Sequence, residues 1–264
     1  MSSVPLLPDR QRPLVFAHRG CSSLAPENTM AAFKKAREFG CPGIELDVHC
    51  CASGELVVAH DDSFGRTAGD PRYIEALSLA EIRAIDVGSR FDPEFSGETA
   101  PLLSEVLEEF LPDMYIDIEM KTGKTRGDPL PKALADLLVR FGDRAAENVS
   151  VSSFNPIALR TFKKYAPRIP SAAIWSIAAE VPFVLRRGLG RYIAGCDYCK
   201  PVYSRIHKFN VFIMKRLEKR PLIAWTVDDP VLAQDLLRLG CEGIITNRPQ
   251  DMCFLAEGSV SRYG

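Results

Sequence analysis

Apolar residues recur along the chain in short runs of four to six residues, and stretches of helical periodicity separate most of these runs. Parallel strands need connections long enough to hold a helix, and most of these connections are long enough. The pattern therefore predicts an α/β fold, with closure into a barrel. The predicted strands are Leu14–Ala17, Gly43–Val48, Leu56–Ala59, Met114–Ile118, Val149–Ser153, Ser171–Trp175, Leu222–Val227 and Gly243–Thr246.

The first predicted helix has clear boundaries, because Asn28 or Thr29 can cap its start and Gly40 can end it. Apolar residues at helical spacing indicate further helices, and Tyr203–Lys219 has a less regular pattern. The further helices are Leu102–Phe110, Pro131–Phe141, Pro156–Tyr165, Glu180–Arg187 and Pro230–Leu239.

The connection between His60 and Pro101 is too long for an ordinary loop. Connections of this length are usually functional, so we expect it to fold over one end of the barrel, with a short helix near Ser78–Ile85. No repeat or linker separates a second unit. We therefore expect one domain over residues 1–264, with an insertion at about 61–101.

Composition narrows the classes of partner. The chain has 264 residues, 46% of them hydrophobic, and a formal net charge of -1, so its overall charge indicates neither a nucleic-acid nor a membrane-surface partner. The start of the sequence lacks a basic leader and an apolar run of signal-peptide length, and no later run reaches the length of a membrane span. We expect a cytoplasmic protein without membrane insertion, and the oligomeric state stays open.

The eight cysteines are expected to stay reduced and to pack as small hydrophobic residues. Cys196 and Cys199 have the spacing of a zinc knuckle, but no second pair follows at suitable spacing. Packing is therefore the favoured interpretation for both.

Acidic residues occur at alternate positions of two predicted strands. Glu45 and Asp47 share one strand face, and Glu119 and Lys121 repeat this spacing. Three neighbouring carboxylates repel one another unless a cation lies between them, and oxygen donors favour Mg²⁺ or Ca²⁺. With Arg19 and Lys121 added, such a site balances the charge of one phosphodiester.

Two of the four histidines, His18 and His60, lie at predicted carboxyl ends of strands, where α/β barrels carry their active sites. One imidazole can accept a proton while another donates one, and the sequence leaves open which ring does which. His49 is expected to lie beside the site or at the surface, and His207 at the surface.

Three other residues have two interpretations each. Asn28 is favoured as a helix cap over a catalytic group. Trp225 either covers a bound organic group or fills the barrel. Asp117, one pleat below Glu119, either hydrogen-bonds a metal ligand or Lys121, or is purely structural.

Taken together, these stretches resemble the glycerophosphodiester phosphodiesterase family over most of the chain. The matching motifs are His18-Arg19-Gly20, Pro26-Glu27-Asn28-Thr29, Glu45-Leu46-Asp47-Val48, Val57-Val58-Ala59-His60-Asp61, Glu119-Met120-Lys121, Ser153-Phe154, Trp225-Thr226-Val227 and Gly243-Ile244-Ile245-Thr246.

The resemblance implies a TIM barrel with an insertion after His60, and hydrolysis of glycerophosphodiesters to glycerol 3-phosphate and an alcohol. It implies a divalent cation held by Glu45, Asp47 and Glu119. It also implies His18 and His60 as the acid/base pair, with Arg19 and Lys121 on the phosphate. Whether water or the glycerol hydroxyl attacks first is not decided by the sequence.

Cys51, Ser53 and Asn247 depart from the family pattern, Asn247 standing where an aspartate is common. A neutral amide can hydrogen-bond but cannot balance a cation.

Two alternatives follow from the same residues. One is lysophospholipase D-like cleavage of lysophospholipids, if Phe64, Phe91 and Phe95 form an apolar entrance. The other is a catalytically silent barrel that binds phosphoesters or a protein.

Overall fold

The computed structural model describes Leu7 and residues 13–124, 126–177, 183 and 185–257. Its main sheet follows chain order, with the eighth parallel strand returning to pair with the first. Isolated parallel bridges join the sixth and seventh strands, so the barrel is nearly closed. The predicted TIM barrel is therefore confirmed. The strands are β1 (Leu14–His18), β2 (Gly43–Cys50), β3 (Tyr115–Met120), β4 (Val149–Ser153), β5 (Ser171–Trp175), β6 (Tyr198–Pro201), β7 (Ile223–Ala224) and β8 (Gly243–Thr246).

The helices of the described residues pack mostly outside this barrel. A π-helical segment, Phe212–Leu217, continues the eighth helix, and most of the predicted helix Glu180–Arg187 lies outside the described residues. The helices are α1 (Met30–Glu38), α2 (Leu79–Arg83), α3 (Leu103–Phe110), α4 (Leu130–Arg140), α5 (Asp143–Asn148), α6 (Pro156–Tyr165), α7 (Gly190–Ala194), α8 (Lys208–Val211), α9 (Pro230–Leu239) and α10 (Phe254–Glu257).

One predicted strand is not part of the barrel, and one barrel strand was not predicted. Leu56–Val58 forms a strand, but it pairs antiparallel with the end of β2 and lies outside the barrel. His60 therefore reaches the site on the segment that follows a hairpin, and not at the end of a parallel strand. The sixth barrel strand, Tyr198–Pro201, was not predicted, because Lys200 and Pro201 interrupt its apolar pattern.

The barrel interior changes from apolar to charged along the strands. At the amino ends of the strands, Phe16, Tyr115, Tyr198 and Ile223 form an interior cluster, and alternate residues such as Val15 join the outer core beneath the helices. Inward-facing residues further along the strands are mostly polar or charged. This cluster fills the barrel at the amino ends of the strands, and the charged groups lie at the carboxyl ends.

Strand register places the acidic residues side by side. Glu45 of β2 lies opposite Asp117 of β3, and Asp47 lies opposite Glu119, while His18 of β1 lies opposite Glu45. Because alternate residues share a face, these side chains meet inside the barrel.

The insertion forms a small lobe on the site side of the barrel. It contains a short hairpin, Ser63–Phe64 with Asp70–Tyr73, and its own apolar cluster, which includes Phe64 and Ile74. Phe91 and Phe95 pack edge to face against each other on this lobe. In the part of the chain that the structure describes, no helix is both long enough and apolar enough to cross a membrane.

Candidate active site

Three carboxylates, those of Glu45, Asp47 and Glu119, converge at the carboxyl ends of β2 and β3. One oxygen from each lies within 4.8 Å of the others. All three residues are buried, and the donors are oxygen only. Oxygen-only donors at this separation fit a hard divalent cation such as Mg²⁺ or Ca²⁺.

Neighbouring cations lie close to Asp47 and Glu119, whereas the electrostatic surroundings of Glu45 disfavour its charged form. Burial and then the neighbouring Asp47 raise the pKa of Glu45 well above its ordinary value. Burial opposes ionisation of Asp47 as well, but Lys121, His60 and Arg19 lower its pKa. Lys121 Nζ donates to Glu119 Oε1 at 3.0 Å, and Arg19 Nε lies 3.4 Å from Asp47 Oδ2. A cation would relieve the repulsion felt by Glu45.

A further cation, Lys200, is buried below the triad on the unpredicted strand β6. Its Nζ lies 2.8 Å from Asp117 Oδ2 and donates to Ser152 Oγ at 2.9 Å. Burial lowers the pKa of Lys200, but Asp117, Glu45 and Glu119 together raise it, so the ammonium stays charged. Asp117 therefore holds Lys200 and not Lys121. The sequence signal that could have identified Lys200 is a charged residue within an otherwise apolar run.

His18 is held by the loop after β8. Its Nδ1 lies 2.6 Å from Asn247 Oδ1, and Asn247 Nδ2 donates to Asp228 Oδ2 at 2.7 Å. A carboxylate can only accept here, so the amide oxygen faces His18 and Nδ1 carries the proton. His18 Nε2, which is 3.9 Å from Glu45 Oε2, is left as an acceptor.

Burial and then the charge of Arg19 lower the pKa of His18 from its ordinary 6.5 to about 4. Its imidazole is therefore neutral near pH 7.

His60 is oriented by the residue that follows it. Its Nδ1 lies 2.7 Å from Asp61 Oδ1, and its backbone carbonyl accepts a hydrogen bond from His49 Nε2 at 3.2 Å. Asp61 fixes the proton on Nδ1 and leaves Nε2 available. His49 is half-buried and borders the same cavity, whereas His207 is exposed on the barrel exterior, as predicted.

Two residues at the site have left-handed backbone conformations, Arg19 with φ 56° and Asn28 with φ 58°. Such conformations cost free energy in non-glycine residues and need support from their surroundings. Arg19 N donates to Glu45 Oε2 at 3.2 Å, and Asn28 Nδ2 donates to Asp47 Oδ2 at 3.0 Å. The cap of α1 is Thr29. The interpretation of Asn28 as the cap is therefore wrong, since its side chain binds a carboxylate of the triad.

Gly20, next to Arg19, has φ 82°, and a Cβ here would lie 2.7 Å from the backbone of Ala32. Only glycine therefore allows this turn to pack against α1.

These groups border one cavity of about 1320 Å³ at the carboxyl end of the barrel. His18, Arg19, His60 and Lys121 all border it together with the triad residues Glu45 and Glu119. The structure therefore brings these six predicted site residues together at one cavity, and Asp47 lies beside Glu45 and Glu119 in the triad.

Trp225 is half-buried on the cavity wall. Its Nε1 donates to Lys200 O at 2.8 Å, and its ring packs edge to face against Phe154. The ring therefore both packs against the interior cluster and faces the cavity.

The low pKa of His18 predicts a pH-dependent stability. Between pH 6.5 and about 4, the unfolded chain binds a proton at this ring that the folded protein does not bind. The free energy of unfolding therefore falls on acidification through this window, by about 3 kcal/mol from His18 alone. Urea unfolding in EDTA at stepped pH should show a smaller fall for His18→Gln than for the wild type. Equal slopes for the two proteins would contradict the prediction, and His207→Gln is the matched control.

The carboxylate triad and the two histidines thus lie at the carboxyl end of one parallel barrel. Comparison with known proteins gives the family. The family model described as "Glycerophosphoryl diester phosphodiesterase family" matches residues 18–251, and the chain belongs to this family.

Individual relatives agree with this assignment. A glycerophosphodiester phosphodiesterase of Caldanaerobacter subterraneus subsp. tengcongensis is 34% identical over 240 residues, covering 90% of this chain and 96% of that protein. A putative glycerophosphodiester phosphodiesterase of Bacillus subtilis is 30% identical over 235 residues, covering 89% of this chain and 94% of that protein. An Oleispira antarctica phosphodiesterase, solved in complex with its product sn-glycerol-3-phosphate, superposes with a TM-score of 0.81 at 27% identity, covering 94% of this chain and 98% of that one.

Proposed function

We propose that this protein is a divalent-cation-dependent enzyme that hydrolyses glycerophosphodiesters to glycerol 3-phosphate and an alcohol. One observation carries the proposal: two histidines, two basic side chains and two carboxylates of the converging triad border the same cavity. The product bound in the Oleispira relative supports the choice of substrate.

Glu45, Asp47 and Glu119 would hold the cation, Mg²⁺ or Ca²⁺. When bound, the ion supplies positive charge to the phosphoryl oxygens. Arg19 and Lys121 border the same cavity and add two further cations, which favour the charge that develops in the transition state. Trp225 offers an aromatic wall for the organic part of the substrate.

The partners of the two histidines favour different roles. His18 is neutral and has an acceptor at Nε2, so we assign it as the base that removes a proton from the nucleophile. His60 is hydrogen-bonded at Nδ1 to the Asp61 carboxylate, which orients the ring and leaves Nε2 for the other proton transfer. We assign His60 as the acid that protonates the departing alcohol.

The direct test is hydrolysis of glycerophosphocholine by purified protein, with Mg²⁺ and Ca²⁺ supplied in turn. Release of glycerol 3-phosphate and choline in equal amounts supports the proposal. Release of phosphocholine, or no hydrolysis with either ion, would refute it.

A second candidate, cleavage of lysophospholipids, is favoured by an apolar wall of the cavity. The condition stated for this candidate, an apolar entrance formed by aromatic residues of the insertion, is not met. Phe64 is buried within the lobe, and Phe91 and Phe95 do not border the cavity. Apolar side chains border the opposite side instead, namely Phe154, Ile157, Ile174, Leu185 and Ile193. This side suits the acyl chain of a lysophospholipid.

Ile193→Glu should separate the two substrates. The charge disfavours an acyl chain on this wall, so kcat/KM for lysophosphatidylcholine should fall by about tenfold or more, while that for glycerophosphocholine should change less than about twofold. Leu189→Glu is the matched control, because Leu189 lies one helical turn away, is similarly exposed (48% against 46%) and does not border the cavity. Wild-type protein inactive on lysophosphatidylcholine would eliminate this candidate.

A further inference from the structure

One guanidinium of the insertion lobe joins the two loops that carry His60 and Arg19. Arg66 Nε donates to Asp61 Oδ2 at 2.8 Å, and its Nη1 and Nη2 donate to the two carboxylate oxygens of Glu27 at 2.8 and 2.7 Å. Asp61 binds His60 Nδ1 at 2.7 Å, and Glu27 accepts from Arg19 Nη1 at 3.0 Å. The five side chains form a continuous line of hydrogen bonds, in which the carboxylates of Asp61 and Glu27 lie on either side of Arg66.

We propose that Arg66 is a positioning residue, which acts through Asp61 on the proton-donating histidine and through Glu27 on the phosphate-binding arginine. The inference rests on the proposed function. It assigns to the insertion a part in catalysis, although Arg66 touches none of the reacting groups.

The geometry of Arg66 suits this part. Its planar fork uses three N–H groups on two carboxylates that come from different segments of the chain. Burial opposes ionisation of Asp61 and Glu27, but hydrogen bonds with Arg66 help lower the pKa of both. Without Arg66, two neighbouring carboxylates would repel each other, and each would be free to leave its catalytic partner.

Arg19 shows why such support is needed. Its backbone is left-handed, and its guanidinium lies between Asp47 of the triad and Glu27. Glu27 is thus the outer of two carboxylates that set the direction of Arg19. Arg66 binds both oxygens of Glu27 and one oxygen of Asp61. Movement of the lobe would therefore displace the partners of Arg19 and His60 together.

The test is Arg66→Ala assayed on glycerophosphocholine at saturating metal. Loss of a group that orients a catalytic residue typically lowers activity about 10- to 100-fold. We therefore expect kcat to fall by about that factor, while KM changes less than about threefold. Millimolar methylguanidinium should restore part of kcat. Arg66→Lys, which keeps the charge but not the fork, should recover less than the wild-type rate.

Arg72→Ala is the matched control. Arg72 lies on the same lobe, is as exposed as Arg66 (52% against 50%) and binds two acidic residues, Asp70 and Glu81, away from the cavity. It should keep wild-type kcat. If Arg66→Ala loses no more activity than Arg72→Ala, or if methylguanidinium restores nothing, the positioning role is wrong.

A spectroscopic measurement separates this inference from the proposed function. In ¹⁵N spectra of histidine-labelled protein, Arg66→Ala should shift the His60 Nδ1 signal, assigned with His60→Gln, and Arg72→Ala should not. A wild-type protein inactive on glycerophosphocholine refutes the proposed function, and an unshifted His60 signal refutes the role of Arg66. If Arg66→Ala does not fold, the same shift is measured in Arg66→Lys.

Discussion

Replacing His18 or His60 by alanine should lower kcat by about two to four orders of magnitude. This is the range expected when a positioned general acid or base is lost. Each ring has one nitrogen held by an oxygen acceptor, Asn247 for His18 and Asp61 for His60, which leaves the other available for proton transfer. Steady-state hydrolysis of glycerophosphocholine measures the effect.

His207→Ala controls for a general effect of losing an imidazole, because His207 is exposed and remote from the cavity. It should retain the wild-type rate. Near-native turnover in either His18→Ala or His60→Ala would remove that residue from the mechanism. A substrate with a more acidic alcohol should rescue His60→Ala more than His18→Ala, because such a leaving group needs less protonation.

Removal of divalent cations should abolish activity, and their return should restore it. Three buried carboxylates face one another with oxygens within 4.8 Å, and burial and Asp47 raise the pKa of Glu45. Asp47→Asn should therefore weaken binding of Mg²⁺ or Ca²⁺ and lower activity by about 100-fold or more, because it removes a charged oxygen ligand. Calorimetric titration of the ion into metal-free protein measures binding independently of catalysis.

Asp113→Asn is the control for this variant, since Asp113 is exposed and distant from the triad. It should bind the ion as the wild type does. Full activity in chelated protein, or unchanged ion affinity in Asp47→Asn, would refute the carboxylate site.

The fold and the central chemistry were largely readable from the sequence. Seven of the eight barrel strands coincide with predicted apolar runs, because alternation and length identify buried strands well. The spacing of Glu45 and Asp47, and of Glu119 and Lys121, also carries strong information. Residues two apart on a strand must share a face, and neighbouring parallel strands then bring the two sets together.

The structural features that were not predicted depend on contacts between distant parts of the chain. Too few residues connect β2 to the strand at Leu56–Val58 for a helical crossover. A connection this short allows only an antiparallel hairpin. Lys200 reads as a break in an apolar run until Asp117 is known to lie opposite. The contacts of Asn28 with Asp47 and of Arg66 with Glu27 join segments whose approach no local pattern records.

The bond between Asn247 and His18 spans 229 positions and joins the loop after the last barrel strand to the end of the first. During synthesis, the ring of His18 leaves the ribosome long before the residue that orients it. The hydrolytic centre is consequently completed only when the barrel closes, so truncated or partly folded chains would hold their carboxylates without an aligned base.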